Sequence, residues 1–362
     1  MRIGLDVSKA QGSADGIGTY CRELLRGLLP LVSDDELHLY ALLHPIDFTA
    51  LEEELGGWPT NVRPRPGVRP AEDSLDVFHS TCWTAPGNLD APILFTCHDL
   101  TTLSHPHFHT LDNKVLCLTG LLRAHLNDAT FLAVSQATAA ELRHHLEVPT
   151  TRIHVVPHAA GPVFRTLDSE EAADQVRRKF QLEAPYLLAV GTLEPRKNLS
   201  RLLDAYAALQ GRQRKEWPLV LVGGEGWQHQ ELLHRLETTP ELAHARRLGR
   251  VDPEDLVALY NGAGLFVYPS LAEGFGLPIV EAMACGAPVV TSDQGAMAET
   301  AHDAAVLVDP MDSTALTEAL DELIDDPNRR SALRQRGLDH ARTFSWSSVA
   351  RRTLALYHRL AA

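Results

Sequence analysis

Short apolar runs alternate with longer helical patterns along the whole chain. Each run is followed by a segment whose apolar positions recur at helical spacing. This alternation is typical of βαβ units built around a parallel sheet. The strands predicted in the first half are Arg2–Val7, Leu37–Leu42, Leu75–His79, Ile93–Cys97, Thr130–Val134 and Ile153–Val156, and those in the second half are Tyr186–Val190, Leu219–Val222, Leu265–Tyr268, Pro288–Thr291 and Ala305–Val308.

The clearest helical patterns fill the intervals between these strands. At roughly 150 residues per domain, a chain of 362 residues is expected to form two domains. The seam is predicted near Pro157–Glu170, where prolines, a glycine and polar residues follow a completed strand. We therefore predict two doubly wound α/β domains, residues 1–160 and 165–345, with a ligand cleft between them. The apolar-periodic segment 346–362 is predicted to be a helix that either caps the second domain or joins the first. The predicted helices between the strands include Gly18–Leu29, Leu111–Asn127, Thr138–Leu146, Leu199–Gln210, Pro253–Asn261, Pro278–Ala284 and Ser313–Asp325.

Composition narrows the class of protein. Apolar residues make up 44% and charged residues 22%, as in globular proteins with full cores. The net charge is −14, which argues against a nucleic-acid partner. The five cysteines are scattered and contain no CxxC pair, which indicates reduced thiols. Because neither a signal peptide nor a membrane-spanning segment is evident, we expect a cytoplasmic protein.

The most informative stretch is EGFGLPIVEAMACGAPVV, which begins at Glu273 after a predicted strand. Gly274 and Gly276 permit a tight turn, and the N–H groups of Phe275–Leu277 then point out of a helix N-terminus, as in anion-binding sites. Glu273 and Glu281 are expected to face the same cleft, where carboxylates accept hydrogen bonds from sugar hydroxyls. The alternative is that Glu281 only complements the helix dipole.

A cation pair follows another predicted strand. Arg196 and Lys197 lie in GTLEPRKN, at the carboxyl end of a parallel strand, where open α/β folds bind ligands. Two adjacent cations there could neutralise a diphosphate. The alternative is a solvated surface pair.

Two glycines follow the first predicted strand. Gly16 and Gly18 resemble half of a dinucleotide fingerprint, but Cys21 occupies the third glycine position, so a Rossmann oxidoreductase is disfavoured. The glycines are interpreted as a tight turn that admits a ligand to the first helix terminus, or as a purely structural turn.

Histidines and a basic run complete the candidates. His98 ends an apolar strand at the expected cleft rim, where it either binds a sugar hydroxyl or satisfies the strand end. His105, His107 and His109 lack the spacing and carboxylate partners of a metal site, so no metal is expected. The proline-rich run Asn61–Pro70 is either a mobile loop that meets an acidic or lipid-diphosphate acceptor or an exposed connector.

Together these motifs resemble the retaining glycosyltransferases of family 4, which have the GT-B fold and include bacterial GDP-mannose-dependent mannosyltransferases of polysaccharide biosynthesis. The motifs DGIGTY, HDL, SQAT, VVP, GTLEPRKN, LVGGEGW, LGRVDPEDLVALY and EGFGLPIVEAMACGAPVV occur in the family's order over nearly the whole chain.

The resemblance implies a role for each candidate residue. Glu273 would contact the hydroxyls of the donor sugar, and Glu281 would contact the nucleotide ribose. Arg196 and Lys197 would hold the diphosphate with the N–H groups of Phe275, Gly276 and Leu277. Gly16 and Gly18 would line the cleft that holds donor and acceptor and would contribute to donor binding, and His98 would face the transferred sugar.

The chain departs from the family pattern at several positions that bear on these roles. Asp15 stands where glycine is frequent and would bring negative charge near the donor or acceptor. His158 and Ala159 stand where an Asn-Gly pair is usual, which leaves the hinge conformation open. Arg250 replaces a frequent aromatic residue, which leaves base recognition open.

The implied activity is retaining, metal-independent transfer of a hexose, with mannose favoured, from a nucleoside-diphosphate sugar. GDP-mannose is favoured over a UDP-hexose as donor, no cofactor is expected, and the acceptor is a glycan, a glycolipid or other lipid-linked sugar, or a small molecule. Membrane contact is expected to be peripheral at most. The alternatives are a nucleotide-sugar epimerase of similar fold and a non-catalytic sugar-nucleotide-binding module.

Overall fold

The computed structural model describes residues 1–11, 15–183 and 185–362. These residues form two compact units. The first unit is Met1–His158 together with Ser345–Ala362, and the second unit is Ala159–Phe344.

In the part of the chain that the structure describes, the first unit is built on one seven-stranded parallel sheet with the order β3-β2-β1-β4-β5-β6-β7. The chain builds outward from β1 to β3 and then continues on the other side with β4, so the topological switch point lies between β1 and β4. The strands are β1 (Arg2–Asp6), β2 (Glu36–Tyr40), β3 (Val62–Pro64), β4 (Val77–Ser80), β5 (Ile93–Cys97), β6 (Thr130–Ala133) and β7 (Ile153–Val155).

Helices cover this sheet because its central strands carry apolar side chains on both faces, as parallel sheets require. Ile3, Leu37 and Phe95, for example, are fully buried. The helices that precede the second unit are α1 (Gly16–Leu28), α2 (Phe48–Glu54), α3 (Thr101–Ser104), α4 (Leu111–Leu126) and α5 (Gln136–Leu146).

The second unit has a six-stranded parallel sheet with the order β10-β9-β8-β11-β12-β13, and its switch point lies between β8 and β11. The strands are β8 (Leu187–Val190), β9 (Leu219–Val222), β10 (Ala245–Gly249), β11 (Leu265–Tyr268), β12 (Val289–Ser292) and β13 (Ala305–Val308). The helices are α6 (Ser169–Phe180), α7 (Leu199–Ala208), α8 (Gly211–Glu216), α9 (Gln230–Thr238), α10 (Pro253–Gly262), α11 (Leu277–Ala284), α12 (Gly295–Ala301), α13 (Ser313–Asp325) and α14 (Pro327–Ala341).

The last helix, α15 (Trp346–Ala361), belongs to the first unit. It packs on α1 where Gly27 leaves room, since a Cβ atom there would lie 2.9 Å from the Cβ atom of Ala350. The buried Tyr357 hydroxyl lies 2.6 Å from His79 Nδ1 on β4. Apolar packing and a buried hydrogen bond thus hold the C-terminal helix against the sheet of the first unit.

Two strands were missed by the sequence patterns, and both lie at sheet edges. β3 has three residues and includes Pro64, and β10 has the polar sequence ARRLG, with none of its residues fully buried. The other two edge strands, β7 and β13, are mostly apolar and were predicted. The patterns missed β3 and β10 because these short segments contain arginines or proline and no apolar run.

The basic run Asn61–Pro70 is not the mobile loop that one interpretation of the sequence offered. Its first part forms β3, and Arg65 Nε donates to Asp73 Oδ2 at 2.8 Å. The guanidinium of Arg65 is therefore paired within the first unit.

Two further observations concern the cysteines and the lengths of the apolar helices. All five cysteines are free and buried, as reduced thiols would be. Among the described residues, no helix is long and apolar enough to cross a membrane.

Candidate active site

The second unit brings the predicted cations and the first predicted glutamate together at its switch point. Arg196 and Lys197 follow β8, and Glu273 follows β11, the neighbouring strand. Lys197 Nζ donates to Glu273 Oε1 at 2.6 Å, and Arg196 forms an ion pair with Glu273 Oε2. The sheet order thus explains why residues more than 70 positions apart meet at one edge.

Glu273 already accepts hydrogen bonds through both of its carboxylate oxygens. Besides Lys197, its Oε1 atom accepts from the Tyr268 hydroxyl at 2.7 Å and from the Ser270 hydroxyl at 2.8 Å. Burial alone would raise the pKa of Glu273, but the charges of Arg196 and Lys197 and the hydrogen bonds outweigh it and hold the pKa well below its usual range. Glu273 therefore stays ionised and is not a general acid.

The guanidinium of Arg196 is braced inside the protein. Its Nη1 atom donates to the carbonyl of Ala272 at 2.8 Å, and its Nη2 atom donates to Glu194 Oε1 at 2.6 Å. With Glu273, two carboxylates thus neutralise the two cations. The side chains of Arg196 and Lys197 are only 13% and 12% exposed and are held by neighbouring carboxylates, so they are not the solvated surface pair that was the alternative interpretation. Diphosphate binding by these cations stays a prediction.

The glycine-rich turn leads into α11 as the sequence predicts, with the helix beginning at Leu277 instead of Pro278. Gly276 is the N-cap and adopts φ of +95°, a conformation that favours glycine. The Phe275 ring is buried against Phe344, and the Phe275 carbonyl accepts from the Thr300 hydroxyl at 2.6 Å. These contacts fix the backbone where the N–H groups of Gly276 and Leu277 emerge from the helix terminus.

Glu281 lies in the second turn of α11, in a different environment from Glu273. The Tyr260 hydroxyl on α10 donates to Glu281 Oε2 at 3.2 Å. Burial raises the pKa of Glu281 to about 7, and the single tyrosine hydrogen bond only partly opposes that shift. The two glutamates of one motif are therefore expected to differ in protonation near neutral pH.

In the first unit, Gly16 and Gly18 lie in the first turn of α1 and not in a turn before it. Asp15 is the N-cap, and its carboxylate accepts from the Gly18 N–H at 2.7 Å. Lys9 Nζ lies 3.4 Å from the same carboxylate. The negative charge that the sequence places near this helix end is therefore used to cap the helix, and an anionic ligand would have to compete with it.

His98 is buried at the end of β5 and has a defined tautomer. Its Nε2 atom lies 2.8 Å from the carbonyl oxygen of Thr81 and must carry the proton, since a carbonyl only accepts. Burial lowers the pKa of His98, so the ring is neutral and its Nδ1 atom is left as an acceptor. The Tyr20 ring lies edge-on to His98 at 5.0 Å, and the His158 ring lies 5.6 Å away.

The orientation of His98 depends on Asp6, a residue that the sequence patterns missed. Asp6 is fully buried at the end of β1 and accepts from the Ser8 N–H at 3.0 Å and from the Cys82 thiol at 3.2 Å. The Thr81 hydroxyl donates to the Asp6 carbonyl at 2.5 Å. Asp6 thus fixes the loop that presents the Thr81 carbonyl to His98. The sequence feature that could have identified Asp6 is an acidic residue at the end of an otherwise apolar strand.

The histidines after His98 pack with an aromatic ring. His105 and Phe108 stack at 5.6 Å, and His107 lies 4.1 Å from Phe108. Within the described ranges, no three His, Cys, Asp or Glu side chains are grouped as a metal site.

Comparison with known proteins gives the family. The chain matches the model of group 1 glycosyl transferases over residues 171–340 and that of Glycosyltransferase Family 4 over residues 14–160. It is 35% identical over 286 residues to O-antigen chain mannosyltransferase B of Escherichia coli. The aligned region covers 78% of this chain and 74% of that protein. The chain belongs to the family-4 glycosyltransferases.

Two further similarities agree with this membership. The serotype-specific mannosyltransferase WbdA of Escherichia coli is 26% identical over 346 residues, or 91% of this chain and 42% of WbdA. The crystal structure of Anabaena HepE in complex with UDP and glucose superimposes with a TM-score of 0.75 at 18% identity, covering 99% of this chain and 100% of HepE. This family-4 glycosyltransferase therefore has the two-domain GT-B fold that the sequence predicts.

The raised pKa of Glu281 predicts a pH-dependent cost of folding. A carboxyl whose pKa rises on folding holds its proton more tightly in the folded state, so its contribution to stability is lost as the pH rises from about 4.5 to about 7. The Glu281→Gln variant avoids this loss. We expect it to gain about 2 kcal/mol of unfolding free energy relative to the wild type between pH 5 and pH 8.

Denaturant unfolding of both proteins at the two pH values measures this difference. Glu318→Gln, at an exposed position on α13, is the matched control and should show no such gain. A stability difference between Glu281→Gln and the wild type that does not change with pH would contradict the assignment.

Proposed function

We propose that this family-4 glycosyltransferase transfers a hexose, with mannose favoured, from a nucleoside-diphosphate sugar to a glycan, a lipid-linked sugar or a small-molecule hydroxyl. The observation that carries the proposal is the cluster of Lys197, Arg196 and Glu273 at the switch point of the second unit. The names of two similar proteins, both mannosyltransferases, support mannose as the transferred sugar. Family membership favours group transfer over epimerisation and over a purely binding role.

Lys197 is the group that we assign to the diphosphate. Its ammonium is on a flexible stem and can exchange its contact with Glu273 for one with a phosphate oxygen. Arg196 is held by Glu194, Ala272 and Glu273, so we assign it to balancing charge and fixing Glu273. The N–H groups of Gly276 and Leu277 supply further donors to the leaving phosphate.

Glu273 and Glu281 are assigned to the sugar and the ribose of the donor, respectively. An ionised carboxylate accepts hydrogen bonds from hydroxyls, and Glu273 remains ionised because of its cations. Glu281 is close to half ionised at neutral pH, and a ribose hydroxyl that donates to it favours the ionised form. In the first unit, His98 is assigned to accept from a sugar hydroxyl through Nδ1. Gly16 and Gly18 add no side chains of their own to the first turn of α1, where Asp15 caps the helix.

We further propose that transfer retains the anomeric configuration without a protein nucleophile. The Oε1 atom of Glu273 already accepts from three donors, and its Oε2 atom is paired with Arg196, which makes this carboxylate a poor nucleophile. In the step that we propose, the bond from the sugar C1 to the phosphate oxygen breaks and the acceptor oxygen bonds to C1 on the same face. The acceptor proton passes to the leaving phosphate oxygen. The protein's cations offset the developing charge, so we expect no requirement for a metal.

The assignment of Lys197 is tested with Lys197→Met, which keeps the length of the side chain and removes its charge. Because a charge-assisted hydrogen bond contributes about 1.5–3 kcal/mol, GDP should bind at least about tenfold more weakly, as measured by isothermal titration calorimetry. Lys215→Met, at an exposed position on α8 in the same unit, is the matched control and should bind GDP like the wild type. Unchanged GDP affinity in Lys197→Met would remove the diphosphate role.

The donor is tested by thermal-shift measurements with GDP, UDP and ADP, followed by transfer assays with GDP-mannose and UDP-glucose onto an alkyl mannoside. We expect GDP to stabilise the protein most, and we expect an α-linked mannose product in the presence of EDTA. A preference for UDP would overturn the choice of GDP, and a β-linked product would overturn retention. Loss of transfer on chelation, restored by a divalent cation, would overturn metal independence.

A further inference from the structure

The largest group of exposed apolar side chains lies on one helix of the first unit. Of the seven large apolar residues that are exposed in the described part of the chain, five belong to α4. Leu111 and Leu126, at its two ends, are 73% and 80% exposed. Between them, Val115 and Leu122 are 58% and 44% exposed. Isolated exposed leucines need no explanation, whereas a contiguous apolar patch bordered by charged residues is a candidate interaction surface.

These four residues form one continuous stripe. Their positions are separated by intervals that return to the same side of a helix at 3.6 residues per turn, and the partly buried Leu118 fills the gap between Val115 and Leu122. An apolar stripe that runs the whole length of a helix is typical of a helix face that packs against another apolar surface.

The opposite face of α4 is already used. Cys117, Leu121 and Ala124 are buried in the core of the first unit. A Cβ atom at Gly120 would lie 1.9 Å from the carbonyl oxygen of Trp83, so the helix backbone is in direct contact with that loop. The stripe therefore cannot turn inward without undoing this contact, and it faces away from the core.

Cations border the stripe on both sides. At about 100° per residue, Lys114 and Arg123 each lie about a quarter turn from the centre of the stripe, in opposite directions. Asp112 is the only acidic residue of α4, so this helix carries a net positive charge in a chain with a net charge of −14. Long basic side chains beside an apolar face can extend to phosphate groups while their stems remain against apolar surface.

The size of the stripe favours a lipid surface over a second copy of the chain. A helix of 16 residues is about 24 Å long and about 10 Å wide, so a pair of such faces would bury about 480 Å² in total. A stable protein interface buries at least about 1,200 Å². An anionic bilayer needs no complementary partner surface and matches both the apolar stripe and the flanking cations.

We propose that the exposed face of α4, defined by Leu111, Val115, Leu122 and Leu126 with Lys114 and Arg123, docks on an anionic lipid surface. This surface differs from the run Asn61–Pro70, which one interpretation of the sequence placed against an acidic or lipid-diphosphate acceptor. The proposal does not depend on the identity of the donor, since vesicle binding is measured without a sugar nucleotide.

The test is co-sedimentation of the full chain with vesicles of phosphatidylcholine alone and of phosphatidylcholine with about 30% phosphatidylglycerol, at low and high salt. Val115→Ser/Leu122→Ser removes the centre of the stripe, and Lys114→Gln/Arg123→Gln removes its cations. Met311→Ser is the matched control, since Met311 in the second unit is 58% exposed, like Val115.

We expect the wild type and Met311→Ser to sediment with the anionic vesicles and to be released by salt. The stripe variant should bind about tenfold more weakly in every condition, and the cation variant should lose the preference for phosphatidylglycerol. Failure of the wild type to bind, or equal binding by the stripe variant, would overturn the proposal. A wild-type dimer in sedimentation velocity that the stripe variant dissociates, without vesicle binding, would show instead that a second copy covers the stripe.

Two further measurements distinguish loss of the lipid-binding surface from loss of folding and from loss of donor binding. Equal thermal unfolding of all variants shows that the serine substitutions leave the fold intact, and the cation variant tests the same surface without altering its apolar side chains. GDP affinity is measured in parallel. Lost vesicle binding with normal GDP affinity supports the role of α4, whereas vesicle binding without GDP affinity would count against the proposed donor and leave the lipid surface in place.

Discussion

The ion cluster at Glu273 is the interaction on which the candidate site depends. A buried carboxylate carries a large desolvation cost unless cations and hydrogen bonds offset it, and here Lys197, Arg196, Tyr268 and Ser270 do so together. Removing one charge from a buried group of this kind commonly costs about 3–5 kcal/mol, because it leaves the partner uncompensated. The loops after β8 and β11 are therefore tied to each other at the edge where a parallel sheet binds ligands.

The same motif contains two glutamates whose chemistry is set by their surroundings. Cations hold Glu273 in the ionised form, whereas burial raises the pKa of Glu281 to about 7 and the Tyr260 hydrogen bond opposes that shift in part. In the first unit, burial keeps His98 neutral, and the Thr81 carbonyl fixes its tautomer. The second unit thus offers a permanent anion and a titratable acid, and the first unit offers a neutral acceptor. This combination suits recognition of hydroxyl-rich ligands better than attack by a protein nucleophile.

Features of the protein could be predicted from the sequence where the pattern that indicates them lies within a few neighbouring residues. Features that depend on contacts between distant segments could not. The central strands were predictable because buried parallel strands are continuous apolar runs. The helix after Gly276 was predictable because the tight turn before it requires a backbone conformation that favours glycine. The edge strands β3 and β10 were not, because their sequences contain arginines or proline and no apolar run, unlike the edge strands β7 and β13. Arg196 and Glu273 were found as candidates, but their mutual pairing depends on strand order. Asp6 was missed because its role, to hold the Thr81 loop, depends on contacts 75 residues away in sequence.

The ionisation of Glu273 tests this account most directly. The side-chain carboxyl carbon resonance of Glu273, assigned by its loss in Glu273→Gln, can be followed by NMR between pH 8 and pH 4 in the ligand-free protein. If the two cations hold the carboxylate as described, its chemical shift should stay constant over this range. A Glu273 resonance that titrates with a midpoint of about 4.5 or above would contradict the cluster and the site built on it.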